Sequence, residues 1–185
     1  VGLYFWEAGA RCFYTTSKPI RSVEDLKGMK IRVQQTEVAI SMVRALGAEA
    51  TPMDYAEVFQ GLQTGIVDGA ENDFVSYYTS GHYEVAKYYS LDQHMAPPAV
   101  LLMSKASWDK MTEAQQEAVR KAAYEAAVWQ RQAMQDYQLE SRAACEAAGC
   151  EIIEVDVPSF QAAVASVYDE YPQYKTIVDM INAVE

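Results

Sequence analysis

Cysteine and histidine are scarce in this chain of 185 residues, which holds three of the first and two of the second. There is no Cys-x-x-Cys pair and no His-rich cluster, so a zinc site has no ligand set, and no metal and no cofactor is expected. Basic side chains are in the minority: 15 Lys and Arg stand against 26 Asp and Glu, a formal net charge of −11. With no Lys/Arg cluster, the field of such a body repels phosphate, which argues against nucleic acid or an anionic membrane surface as partner. Long apolar runs are missing too. The longest charge-free apolar run, residues 95–103, carries two prolines, whereas a membrane-spanning helix needs about 20 apolar residues. Gly-x-Ser-x-Gly, phosphate-loop and dinucleotide fingerprints are all absent. What the chain does have is an apolar share of 50%, enough for a core in one domain or two small lobes.

Residues 1–6 read as the middle of a β-strand, and they lack the positive stretch and longer apolar run of a secretory signal. The expectation is a fragment of a longer protein. Residues 15–26 form a polar connection broken at Lys18-Pro19. Strands are then expected over 29–34, 48–53 and 66–71. They alternate with helices over 37–46, stopped by Gly47, over 54–64, opened by Asp54-x-x-Glu57 and stopped by Gly65, and over 74–80. This β-α-β-α-β order predicts right-handed crossovers and a parallel sheet. Two further strands, 86–93 and 99–104, flank Ala96-Pro97-Pro98. Thr112-x-x-Gln115 then opens a helix with no breaker before Gly149. Such a helix would span roughly 55 Å, too long for one small domain, so it should bridge two bodies or stand off as an arm. A strand over 150–157, a helix over 158–171 led by Pro158 and a terminal helix after Pro172 complete the reading.

Several side chains can carry chemistry. Arg32 lies at the carboxyl half of a strand, where open α/β sheets bind ligands, and its planar fork matches a carboxylate. Alternatively its stem packs and its head meets water. Arg11 either converges with Arg32 on one anion or pairs with Glu7. Asn72 either donates to a ligand or caps the helix near Phe74. Trp6, Tyr55 and Phe74 are aromatics beside these loops and can line a pocket or join the core. His82 and His94 share no helical face with a carboxylate and read better as structural histidines than as ligands or bases. Cys145 and Cys150 flank a helix end, with buried thiols as the default and a small-loop disulfide as the alternative.

Leu26-Lys27-Gly28-Met29-Lys30-Ile31-Arg32-Val33 and the run from Tyr55 through Val67-Asp68-Gly69-Ala70-Glu71-Asn72 resemble the DctP-type substrate-binding proteins of tripartite ATP-independent periplasmic (TRAP) transporters. Trp6-Glu7-Ala8-Gly9-Ala10-Arg11, Tyr83-Glu84-Val85-Ala86-Lys87-Tyr88-Tyr89, His94 and Ser107-Trp108 continue the match. The resemblance implies a two-lobe α/β clamshell of mostly parallel sheets, with a long helix crossing both lobes and most of the first lobe lying upstream of Val1. Residues 1–97 would be an α/β lobe, 98–140 a strand of the other lobe plus the inter-lobe helix, and 141–185 a return to the first unit with terminal helices. It further implies a periplasmic, non-enzymatic protein that binds a small carboxylate and hands it to a membrane permease. Arg32 matches the carboxylate-clamping arginine, Arg11 and Asn72 its supporting donors, Tyr55 and Gln35 cleft positions, and His94 a histidine near the hinge. Gln34 and Asp73 stand where many members have proline, and Ala70 where they have glutamine. Together with Tyr14-Thr15-Thr16 and Gln34-Gln35, the run Glu71-Asn72-Asp73-Phe74 resembles members that bind glucuronate or galacturonate. The competing expectations are a C4-dicarboxylate binder, a lyase or isomerase using His82, His94 or Glu71 as base, and an interaction module with the long helix as a dimer arm.

Overall fold

The computed structural model describes residues 1–184. β1 (Gly2–Trp6) is followed by β2 (Arg11–Thr15), β3 (Lys30–Val33), α1 (Glu37–Ala45), β4 (Glu49–Pro52), α2 (Val58–Thr64) and β5 (Gly69–Asn72). The short helices α3 (Phe74–Thr79) and α4 (His82–Val85) precede β6 (Tyr88–Met95), β7 (Ala99–Leu102) and α5 (Lys105–Trp108). The 35-residue α6 (Glu113–Ala147) leads to β8 (Glu151–Ile153), α7 (Val157–Ala163), α8 (Val167–Glu170) and α9 (Lys175–Asn182).

Six strands form one sheet in the order β4-β3-β5-β2-β6-β8, and β1 pairs with β7 in a separate antiparallel ribbon. β1 therefore belongs to a different sheet from the rest of the strands that precede residue 97. The larger sheet is mixed, not wholly parallel. β3 is parallel to β4 and β5, and β6 to β8, but β2 runs antiparallel to both its neighbours. That strand was not expected from the sequence, because it is central and buried along its whole length, so Arg-Cys-Phe-Tyr-Thr shows no polar alternation. Three other elements are shorter than expected. Residues 66–68 turn before β5 begins, β8 ends at Ile153, and the helix expected over 158–171 breaks into α7 and α8.

Strand alternation gives the sheet two apolar faces. Phe13, Ile31 and Val33 meet Val43, Leu46 and Phe160 on one side, while Tyr14 and Ala70 meet Val58, Tyr77 and Tyr89 on the other. α6 opens with a capping box, Thr112 Oγ1 accepting from Gln115 N and Gln115 Oε1 accepting from Thr112 N. It packs against β1, where Tyr4 and Tyr124 meet edge to face, and against α3 further on. Between these points Gln130 holds the β1–β2 connection at both Glu7 backbone groups, at 3.0 and 2.8 Å. The helix thus ties the ribbon to the six-stranded sheet, as its length required.

Gly69 pairs with Thr15 on one side and Ile31 on the other, where β5 joins the parallel and antiparallel halves. A Cβ there would stand 2.6 Å from Tyr14 O and 2.8 Å from Thr15 Cγ2. Gly69→Ala should therefore lower the unfolding free energy by about 1–3 kcal/mol, the usual cost of overpacking, as a urea-denaturation midpoint shift at constant m-value.

Candidate functional site

Arg32 sits on β3 between Ile31 and Val33, and alternation turns it to the face opposite theirs. It is 4% exposed, yet no carboxylate pairs with it among the described residues. Its Nε and Nη2 both donate to the carbonyl of Met53, at 3.0 and 2.8 Å. A guanidinium has five N–H groups, so three remain without a protein acceptor. Burial pulls its pKa below the ordinary arginine value, with the nearby Glu71 and Arg11 charges acting in opposite directions. Arginine keeps its charge at any ordinary pH, so the result is a buried cation lacking its anion.

Arg11 is the opposite case: it pairs not with Glu7 but with Glu71. Its Nε donates to Glu71 Oε2 at 2.5 Å and its Nη2 to Glu71 Oε1 and Glu71 O at 2.8 and 3.0 Å, while Nη1 donates to Asn72 Oδ1 at 2.7 Å. Only one N–H is left. Asn72 does not cap α3. Asp73 does so, accepting from Ser76 N at 3.0 Å, and Asn72 is held by β5 with its Oδ1 on Arg11 and Asp73 N. Its side-chain NH2 has no protein acceptor and is free to donate.

The other candidates are divided between site and core. The Tyr55 ring centroid is 5.8 Å from the Arg32 guanidinium carbon, and the ring is half exposed. Gln35 is exposed and donates to Asp54 Oδ1 at 3.0 Å, which ties together the loops after β3 and β4. Trp6 ends β1 with its indole N–H buried and unpartnered. The Phe74 ring stacks on Tyr89 at a centroid distance of 4.1 Å and packs with the buried cluster around Tyr14 and Tyr77.

Both histidines are buried and engaged. His82 Nδ1 lies 2.7 Å from the Tyr14 hydroxyl, and burial, then the Arg32 charge, pushes its pKa down to about 4. His94 sits in a bulge of β6, where residues 91–93 interrupt the β2 pairing and Gln93 takes φ 48°. The bulge turns Asp92 inward, where its Oδ1 replaces a lost ladder acceptor for Phe13 N at 2.9 Å and its Oδ2 meets His94 Nδ1 at 2.6 Å. His94 Nε2 lies 3.4 Å from Glu71 Oε2. Burial alone would depress the His94 pKa, but Asp92 and Glu71 overcome it and raise the pKa to about 9. Burial likewise works against the Glu71 charge, and His94 and Arg11 outweigh it to hold the carboxyl below its ordinary value. Sequence reasoning missed Asp92. The signal was Asp92-x-His94 in a strand, a spacing that places both side chains on one face.

A group with a raised folded pKa stabilises fully below its unfolded value of about 6.5 and loses that contribution as pH climbs through about 9. Chemical denaturation from pH 6 to 10 should therefore show stability falling by on the order of 3 kcal/mol. His94→Gln should flatten that part of the profile; an unchanged slope in the variant would contradict the assignment.

A cavity of about 460 Å³ opens elsewhere, between α1 and the α8–α9 segment. Its walls are apolar side chains such as Val38, Met42 and Tyr171, and its lysine, Lys175, is paired with Asp179. Charge imbalance, not size, marks the site at Arg32.

Comparison with known proteins places this geometry. The DctP profile, bacterial extracellular solute-binding protein, family 7, matches residues 1–174. A solute-binding protein of Chromohalobacter salexigens is 42% identical over 97% of this chain and 55% of its own length. The chain spans about half the length of the curated relatives it matches. A TRAP periplasmic solute binding protein from Xanthobacter autotrophicus Py2, solved with bound β-D-galacturonate, aligns with a TM-score of 0.94 at 48% identity, covering 100% of this chain and 63% of that one. Another from Chromohalobacter salexigens, with bound D-glucuronate, aligns with a TM-score of 0.96 at 39% identity and the same two coverages. No helix among the described residues is long and apolar enough to cross a membrane. With the profile spanning nearly the whole sequence, the chain belongs to the DctP family of bacterial extracellular solute-binding proteins.

Proposed function

We propose that this protein is the periplasmic solute-capturing component of a TRAP transporter and that its ligand is a sugar acid of the glucuronate or galacturonate type. The observation that carries this reading is Arg32: a 4%-exposed guanidinium with three unused N–H groups and no carboxylate partner among the described residues. A ligand carboxylate supplies the missing anion in bidentate geometry. Asn72 donates its free amide N–H beside it, Arg11 its one remaining N–H, and Tyr55 and Gln35 flank the entrance. Trp6 brings an unpartnered N–H from the ribbon side. The ligand's hydroxyls then bridge to groups that only a closed arrangement of the two bodies presents. That differential affinity shifts the open–closed equilibrium, and the closed form is what a membrane permease would recognise.

Two observations favour this over an enzyme acting on the same acids. The three candidate bases, Glu71, His82 and His94, are all hydrogen-bonded within the protein. The family and the solved neighbours are solute-binding proteins. The test is calorimetric titration of the purified whole protein with D-galacturonate and D-glucuronate, followed by NMR of the recovered sugar. Saturable binding and an unaltered sugar are expected. Lack of binding by either uronate, or conversion of one, would overturn the reading.

A further inference from the structure

Near Arg32 the cations are paired so that one of them, and no more, is left without a matched anion. Arg11 is neutralised by Glu71, whose two carboxylate oxygens take its Nε and Nη2 at 2.5 and 2.8 Å. His94, the next cation, is matched by Asp92 at 2.6 Å. Asp73 turns away to the first turn of α3, where Ser76 N and Ser76 Oγ donate to it at 3.0 and 2.7 Å. His82 contributes a neutral ring against the Tyr14 hydroxyl. Of the three cations only Arg32 lacks a paired anion, while Asp73 is a buried anion held by neutral groups. Buried charges interact far more strongly than exposed ones, so each imbalance in this cluster bears directly on what can bind.

We infer that Glu71 is a specificity-determining residue that pairs Arg11 and so leaves Arg32 as the one unpaired cation of the site, so that it takes a sugar acid with one carboxylate and rejects the corresponding dicarboxylic acid. This inference rests on the uronate reading above and deepens it. A ligand with one carboxylate is matched by Arg32. A second carboxylate finds no further free cation in this cluster, because Arg11 is held by Glu71 and His94 by Asp92. Glu71 does not need to touch the ligand to act this way; it positions and neutralises Arg11.

The probes are D-galacturonate and D-galactarate, the diacid in which C1 is also a carboxylate, titrated into the purified whole protein and two variants. Wild type should bind galacturonate at least about 30-fold more tightly than galactarate. Ring shape alone can favour the uronate, so the decisive reading is how the ratio changes. Glu71→Gln unmasks Arg11 and should shrink the preference by about tenfold or more. Arg11→Met/Glu71→Gln removes both charges, keeps the cluster balanced if the single variant fails to fold, and should restore the preference for the monoacid. Equal binding of the two acids by wild type, an unchanged ratio in Glu71→Gln, or a lost preference in the double variant would each overturn the inference. No galacturonate binding by wild type would instead overturn the proposed function.

Discussion

Arg32→Ala should raise the dissociation constant for D-galacturonate by about 30- to several-thousand-fold, equivalent to about 2–5 kcal/mol. The loss is large because truncation acts twice. It removes a bidentate charge-assisted contact, and it leaves the ligand carboxylate desolvated with no unpaired cation nearby, since Arg11 is already held by Glu71. Arg32→Lys should recover only part of the affinity, because a single ammonium cannot hold Met53 O and both carboxylate oxygens in one plane. The fold should survive both changes. Arg32 makes no ion pair among the described residues, so neither variant strands a buried carboxylate there, and circular dichroism should be indistinguishable from wild type. A dissociation constant within threefold of wild type would remove Arg32 from the site.

The second large effect concerns stability. Arg11→Met should lower the unfolding free energy by about 3–5 kcal/mol, a major part of the 5–15 kcal/mol typical of a domain. Glu71 is 2% exposed, and Arg11 takes both of its oxygens. Without that partner it keeps only the longer 3.4 Å approach of His94 Nε2, and Asn72 Oδ1 loses a donor as well. Removing the charge from both members is a different perturbation. Arg11→Met/Glu71→Gln should regain most of the loss, because a buried ion pair contributes little over a neutral pair of similar shape. Urea titrations of the three proteins give the comparison. A loss below about 1 kcal/mol in the single variant would mean that the pair is better solvated than its burial implies.

Much of this arrangement was legible before any coordinates. The long helix followed from a breaker-free run between Thr112 and Gly149, and the alternation of β3, α1, β4 and α2 from Gly47 and Gly65, whose positive φ angles end the two helices. The strand that carries Arg32 was legible from its alternation, whereas the burial of its guanidinium was not. What stayed hidden depends on contacts between segments distant in sequence. β2 has no solvent face, so its five residues carry no periodic signal, and its antiparallel neighbours, β5 and β6, come some 60 and 80 residues later. The Arg11–Glu71 pair rests on that same pairing, since Cys12 lies opposite Asn72 and carries Arg11 alongside Glu71. The stacking of Phe74 on Tyr89 joins α3 to β6, a contact that its polar neighbours Asn72 and Asp73 do not announce. The His94 site needs a bulge that no local pattern announces.

The most direct test is a crystal structure of the whole protein grown with D-galacturonate. The expected result is the sugar carboxylate within about 3 Å of two Arg32 nitrogens, with Arg11 still on Glu71 and the Asn72 amide turned to the ligand. A carboxylate bound away from Arg32, with that guanidinium still held only by Met53 O, would contradict it.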